Sequence, residues 1–230
     1  MNDFLGTETL ESMSQAVWYN QWTLEKFRPF LKGEILEVGC GIGNFTPFLT
    51  KFGKVTAIDI KKEYIRETKK KTGYNIEVGL GDIEKGKYFF KGKRFDVIVC
   101  LNVLEHIEKD TQALSNMNQL LKKEGHLVLL LPAHMFLYAE IDKAIGHFRR
   151  YSRVEIIDKL HSSNFELQFT RQLNFIGALG WFISGRLLRN KKVDGFKIKL
   201  FNFFSPLFLR IEDLIEPIIG TSFLVVAKKK

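Results

Sequence analysis

The chain has 230 residues, 45% of them hydrophobic, and a formal net charge of +9. That length suits one α/β domain over residues 1–230 with a sizeable core. No apolar run reaches the ~20 residues that span a bilayer, the stretch between Arg171 and Arg186 coming nearest.

The two cysteines, Cys40 and Cys100, lie in apolar strand-like runs and read as buried thiols of a reduced, cytoplasmic protein. No Cys/His cluster has zinc spacing, so no metal is expected. The N-terminus has no basic start and no apolar core, so no secretory signal is expected. The positive charge leaves nucleic acid, an anionic membrane or an acidic substrate as partners. Most lysines, such as Lys61, Lys62, Lys69, Lys70, Lys71, Lys122 and Lys123, fit solvated helix or turn positions.

Trp18, Tyr19 and Trp22 mark an N-terminal helical segment within 1–33 that either covers a ligand as a lid or packs on the core. Ile35, Leu36 and Val38 then form a short apolar run that ends in Gly39, Gly41 and Gly43, with a helical pattern directly after. This is a buried strand feeding a tight turn and a helix start. Glycines let the backbone approach a ligand closely, and the helix start offers unpaired N–H groups. Residues 54–60 form a second strand with Asp59 near its end, 61–72 a charged helix, and 74–80 a weaker strand leading to Asp82. Residues 95–102 are a clear buried strand. Leu114, Met117, Leu120 and Leu121 recur at helical spacing, with Gly125 read as the stop. Residues 126–131 are another buried strand, halted by Pro132. Such alternation predicts a mainly parallel, doubly wound sheet with helices on both faces.

Beyond Pro132 the rhythm changes. A long connection, 132–151, carries His134, Tyr138, Glu140, Asp142, His147, Arg149, Arg150 and Tyr151. Ser152 and Glu155 fit a capping box that opens a helix. An alternating strand is expected at 165–172 and a last, antiparallel one at 222–228. Between them, 175–216 reads as an insertion of two apolar, aromatic-rich helices. Arg186, Arg189, Lys191, Lys192, Lys197 and Lys199 punctuate it.

The glycine turn decides the ligand class. A dinucleotide fingerprint needs a third glycine where this chain has Asn44. Instead Glu37 precedes an alternating Gly-x-Gly-x-Gly. This resembles the first motif of class I S-adenosylmethionine-dependent methyltransferases. Leu101-Asn102-Val103-Leu104-Glu105-His106-Ile107 is similar to a fourth-strand motif of the same family, and the resemblance covers roughly residues 34–132. It implies a seven-stranded, three-layer α/β sheet binding S-adenosyl-L-methionine. Gly39, Cys40, Gly41, Gly43 and Asn44 would cradle the amino-acid end, with Glu37 on its ammonium. Asp59 lies twenty residues after Gly39, where a carboxylate meets ribose hydroxyls, with Ile60 beside it. Asp82 and Ile83 would meet adenine. Leu101, Asn102 and His106 would border the sulfonium, and Tyr19 would cover it as part of the lid.

The acceptor side is less defined. His147 and His134 are candidate general bases. Tyr138, Arg149, Arg150 and Tyr151 are candidate acceptor contacts, the arginines alternatively pairing with Glu140 and Asp142. The 132–151 pattern resembles a bacterial subgroup that often accompanies cell-surface sugar or lipid pathways. The expected acceptor is therefore a small or lipid-linked molecule, with peripheral membrane contact through 175–216 as a further expectation. Nucleic acid is disfavoured, because no Asn/Asp-Pro-Pro-aromatic motif follows the fourth strand. The competing readings are a nicotinamide-dependent dehydrogenase and a non-catalytic S-adenosylmethionine-binding protein.

Overall fold

A computed structural model describes residues 3–73, 76–188 and 195–230, the side chains of residues 3–5 and of Lys197 excepted. The basic positions Arg189, Lys191 and Lys192 lie outside the described residues, as does the side chain of Lys197.

β1 (Gly33–Val38) is buried along Leu36–Val38 and pairs in parallel on both sides, with β2 (Gly53–Asp59) and with β5 (Phe95–Leu101). A strand with neighbours on both edges and helices on both faces has no solvent side, which is why it reads as an apolar run. β3 (Glu77–Asp82) extends the parallel set beyond β2, and β6 (Leu121–Pro132) extends it beyond β5. β8 (Ser222–Lys229) runs antiparallel to β6, and β7 (Phe165–Leu173) antiparallel to β8. With the two-residue β4 (Lys87–Tyr88) on the β3 edge, the order is β4-β3-β2-β1-β5-β6-β8-β7.

The sheet therefore has eight strands, not the seven expected. The extra one is too short to show a period of its own. Gly125 is the second correction. The helix α5 (Asp110–Leu120) stops at Leu120, and residues 122–125 loop out of the ladder, Glu124 adopting φ 63°. A Cβ on Gly125 would lie 3.0 Å from the Lys122 carbonyl oxygen, so glycine serves the bulge there, not a helix end.

α4 (Lys62–Thr72) buries Tyr64, Ile65 and Thr68 and exposes its lysines, as its pattern predicts. α7 (Arg153–Ser162) opens on Ser152, whose hydroxyl accepts from the Glu155 N–H at 3.1 Å. On the other face, α2 (Val17–Phe27) and α9 (Gly195–Leu214) pack together, and α8 (Phe175–Trp181) runs into a wider π-type segment, Phe182–Leu187.

The N-terminal expectation divides between two helices. In α2, Tyr19 and Trp22 are buried against α9, and the Trp22 indole donates to Asp213. α1 (Asp3–Ser14) lies instead over the glycine turn: Asn44 donates to the Leu10 carbonyl at 3.1 Å, and Thr7 pairs with the Tyr64 hydroxyl at 3.0 Å. It also packs along α6 (Glu140–Ile145).

Candidate active site

All parallel strands end on one side, where crossovers open a crevice. The β1 tip carries Glu37 and then the turn, in which Gly39, Gly41 and Gly43 all adopt positive φ (72°, 54° and 78°). A Cβ at Gly39 would lie 2.3 Å from the Val103 side chain, so that position fits only a glycine. The Gly39 and Cys40 N–H groups donate to the Ile58 carbonyl.

Asp59, at the β2 tip, braces this turn. One oxygen accepts from Gly41 N–H and the other from Lys61 N–H, each at 2.9 Å. Burial raises its pKa. A carboxylate oxygen has two lone pairs, so both retain acceptor capacity. Glu37 differs: it is 5% exposed, and its Oε2 has no hydrogen-bond partner. Burial pushes its carboxyl up to about 8. A buried carboxyl with one oxygen left without a partner, at the mouth of a glycine turn, suits a cationic ligand group.

Asp82, at the β3 tip, is partly exposed. Partial burial raises its pKa, but hydrogen bonds from the Lys85 N–H and ammonium outweigh that and hold it below the usual range. Ile83 is buried, whereas Ile60 is exposed. At the β5 tip Leu101 is half-buried and Asn102 is exposed with φ 54°. The turn then carries Val103 against Gly39 and leads to Glu105 and His106. The structure thus gathers Glu37, the glycine turn, Asp59, Asp82 and Asn102 at neighbouring strand tips. Tyr19 is stacked on Trp22 and edge-on to Phe201.

The acceptor motif is corrected in part. Tyr151 is fully buried, its hydroxyl donating to Leu104 O and to Asp110 at 3.0 Å. Its backbone pairs with Pro132 and His134, which draws the loop back onto β6. Arg150 is 2% exposed, bound to Asp142 at 2.9 Å and to the Ala133 carbonyl, with Trp181 stacked on its guanidinium. Both side chains are taken up by these internal contacts. Arg149 pairs with Asp110 at 2.7 Å, not with Glu140 or Asp142. Tyr138 donates to the His147 carbonyl. His134, at φ 63°, meets Gln172 across β7.

His147 is held elsewhere. Its Nδ1–H donates to Asp142 at 2.9 Å, and its ring lies edge-on to that of His106, centres 4.6 Å apart. His106 in turn donates Nδ1–H to the Gly146 carbonyl, and burial lowers its pKa to about 4. Glu105, beside both, is fully buried, and burial raises its carboxyl to about 7. This trio was missed, because forty residues of chain separate its members. The one local hint was the density of polar groups around 142–151.

Comparison with known proteins agrees with this geometry. Residues 36–129 match the family described as "Methyltransferase domain". The similarity to that family covers less than half of the chain. Its sequence is similar to a ubiquinone biosynthesis O-methyltransferase of Rickettsia canadensis, 36% identical over 102 residues, covering 43% of this chain and 42% of that protein. The match therefore spans well under half the relative's length. A methyltransferase structure from Mesorhizobium loti, described as S-adenosylmethionine dependent, superposes with a TM-score of 0.63 at 15% identity, covering 90% of this chain and 96% of that one. Magnesium protoporphyrin IX methyltransferase from Synechocystis, with S-adenosylhomocysteine bound, gives 0.58 at 16% identity over 95% and 84% of the two chains. At these identities the likeness in structure is one of fold.

Proposed function

We propose that the protein is an S-adenosylmethionine-dependent methyltransferase acting on a small or lipid-linked acceptor. The observation that carries this reading is the buried Glu37 carboxyl, whose Oε2 has no hydrogen-bond partner, beside a turn of alternating glycines. It suits the ammonium of an amino-acid moiety, and a hydrogen-bonded carboxylate–ammonium contact would relieve its desolvation. Asp59 faces the ribose with its remaining lone pairs, and Asp82 and Ile83 form the adenine end. Asn44, which a dinucleotide site would replace with glycine, is tied to α1, so the dehydrogenase reading loses its packing basis.

Bound S-adenosylmethionine supplies a methyl group already activated on sulfonium. The acceptor lone pair forms the new bond to the methyl carbon, the carbon–sulfur bond breaks, and its electrons stay on sulfur. The chain's own residues have to align the acceptor, which lowers the entropic barrier, and exclude water. α1, roofing the turn, suits the second task.

The lipid-linked option rests on the insertion. Along α9, Phe196, Leu200, Phe203, Leu207, Ile211 and Leu214 are exposed at helical spacing, while Ser205, Leu209 and Glu212 are buried. Contiguous exposed apolar surface of this kind marks a binding face. Lys199 and Arg210 border it, which suits an anionic lipid surface. Among the described residues no helix is long and apolar enough to cross a membrane.

Calorimetric titration tests the reading. S-adenosylmethionine and its demethylated product should both bind the full chain, and Glu37→Gln should weaken binding about tenfold, equivalent to ~1.4 kcal/mol. Absence of binding by both ligands overturns it.

A further inference from the structure

Two distant parts of the chain meet beside the β5 tip. Glu105 and His106 come from the turn after β5, and His147 follows the end of α6. One ligand atom from each lies within 4.8 Å of the other two. Both histidines are fixed by their other nitrogen: His106 Nδ1–H donates to Gly146 O at 3.2 Å, and His147 Nδ1–H donates to Asp142 at 2.9 Å. A carbonyl and an ionised carboxylate can only accept, so both neutral rings keep a lone pair on Nε2.

Glu105 adds an independent sign. It is fully buried, and neither carboxylate oxygen has a hydrogen-bond donor. Its approach to His147 Nε2, at 3.7 Å, is too long for a hydrogen bond. The charge of Arg150 and the Glu105 backbone N–H only partly offset that burial, and a carboxyl left so is costly. Asp142 completes the arrangement from behind. It accepts from His147, Arg150, Trp181 and the Ala139 N–H. A carboxylate that orients a histidine through its far nitrogen is the usual support of a metal ligand.

We propose that Glu105, His106 and His147 form a site for a divalent first-row transition ion such as Zn²⁺, beside the β5 tip. Two imidazoles and one carboxylate favour such an ion over Mg²⁺ or Ca²⁺, which prefer oxygen. Three protein ligands leave a position open. Residue Val103, two before Glu105, fills the space above Gly39, so the site adjoins the glycine turn. An ion there supplies Lewis acidity toward an acceptor hydroxyl, whose proton passes to solvent as the methyl arrives. That role rests on the methyl-transfer reading; the binding of the ion does not.

The full chain, stripped with a chelator, is titrated with Co²⁺ while its visible absorption is followed, and Zn²⁺ is then added in competition. One equivalent should saturate the spectrum, and Zn²⁺ should bleach it. Glu105→Gln and His106→Gln should each weaken Co²⁺ binding at least tenfold. Thermal melting identifies either variant that fails to fold, and the other then carries the test. A wild-type chain with no saturable equivalent overturns the proposal, as does equal affinity in both folded variants. Titration with S-adenosylhomocysteine runs in parallel. Its binding without cobalt binding sinks the ion alone, and cobalt binding without it sinks the cofactor alone.

Discussion

Gly39 is the least replaceable residue of the turn. Its φ of 72° disfavours any side chain, and a Cβ would collide with Val103 at 2.3 Å. Gly39→Ala should cost about 2–3 kcal/mol and abolish cofactor binding, read by melting and calorimetry. Glu37 gives a pH signature. Its pKa rises on folding from 4.5 to about 8, so between those values the folded chain holds a proton that the unfolded chain has lost. Stability from this group is present at low pH and declines as pH rises through that window. Glu37→Gln removes the decline. The cofactor-free variant should melt on the order of 5 °C above the wild type at pH 8.5 and match it near pH 4.5. An equal shift at both pH values would contradict the assignment. Asp142 is a stability residue. Burial raises its pKa, but His147 and Arg150 hold it below the usual range, and Asp142→Ala strands a buried guanidinium at about 3–5 kcal/mol. Thermal melting measures it.

At the scale of elements, what could be read locally was read well. β1 and its glycine turn are set by neighbouring residues, and so is the Ser152 cap. The pairing of Arg150 with Asp142 was one of the two alternatives read from the sequence. The burial of Arg150 and Tyr151 was not, since with Arg149 they look like a ligand grip in a linear sequence. Their roles depend on Asp110 and Asp142, eight to forty-one residues away, and on the pairing of Tyr151 with Pro132 and His134. The Glu105–His106–His147 trio was invisible for the same reason. α9 supplies the prediction at this scale. Phe203 and Leu207 are each 76% exposed, so Phe203→Ser with Leu207→Ser should leave the melting temperature within about 2 °C. The same pair should reduce flotation with vesicles containing anionic lipid severalfold. Unchanged flotation would remove the membrane role from this face.

At the scale of the whole molecule, strand alternation up to β6 led to the parallel sheet that is observed, and the antiparallel return of β8 was also expected. The β4 edge and the bulge at 122–125 lay below the resolution of sequence patterns. If the cleft takes its cofactor before unfolding, ligand at 100 times its dissociation constant adds ~2.7 kcal/mol. For a chain of this size that raises the melting temperature by roughly 5–10 °C. Scanning fluorimetry with S-adenosylhomocysteine checks it.

α1 touches both halves of the cleft, gripping Asn44 on one flank and lying along α6 on the other. α6 carries Asp142, and Asp142 steers His147. One helix therefore joins the two flanks by direct contact. Thermodynamic reciprocity then fixes the outcome: the factor by which the nucleoside product changes the grip on cobalt must equal the factor by which cobalt changes the grip on that product.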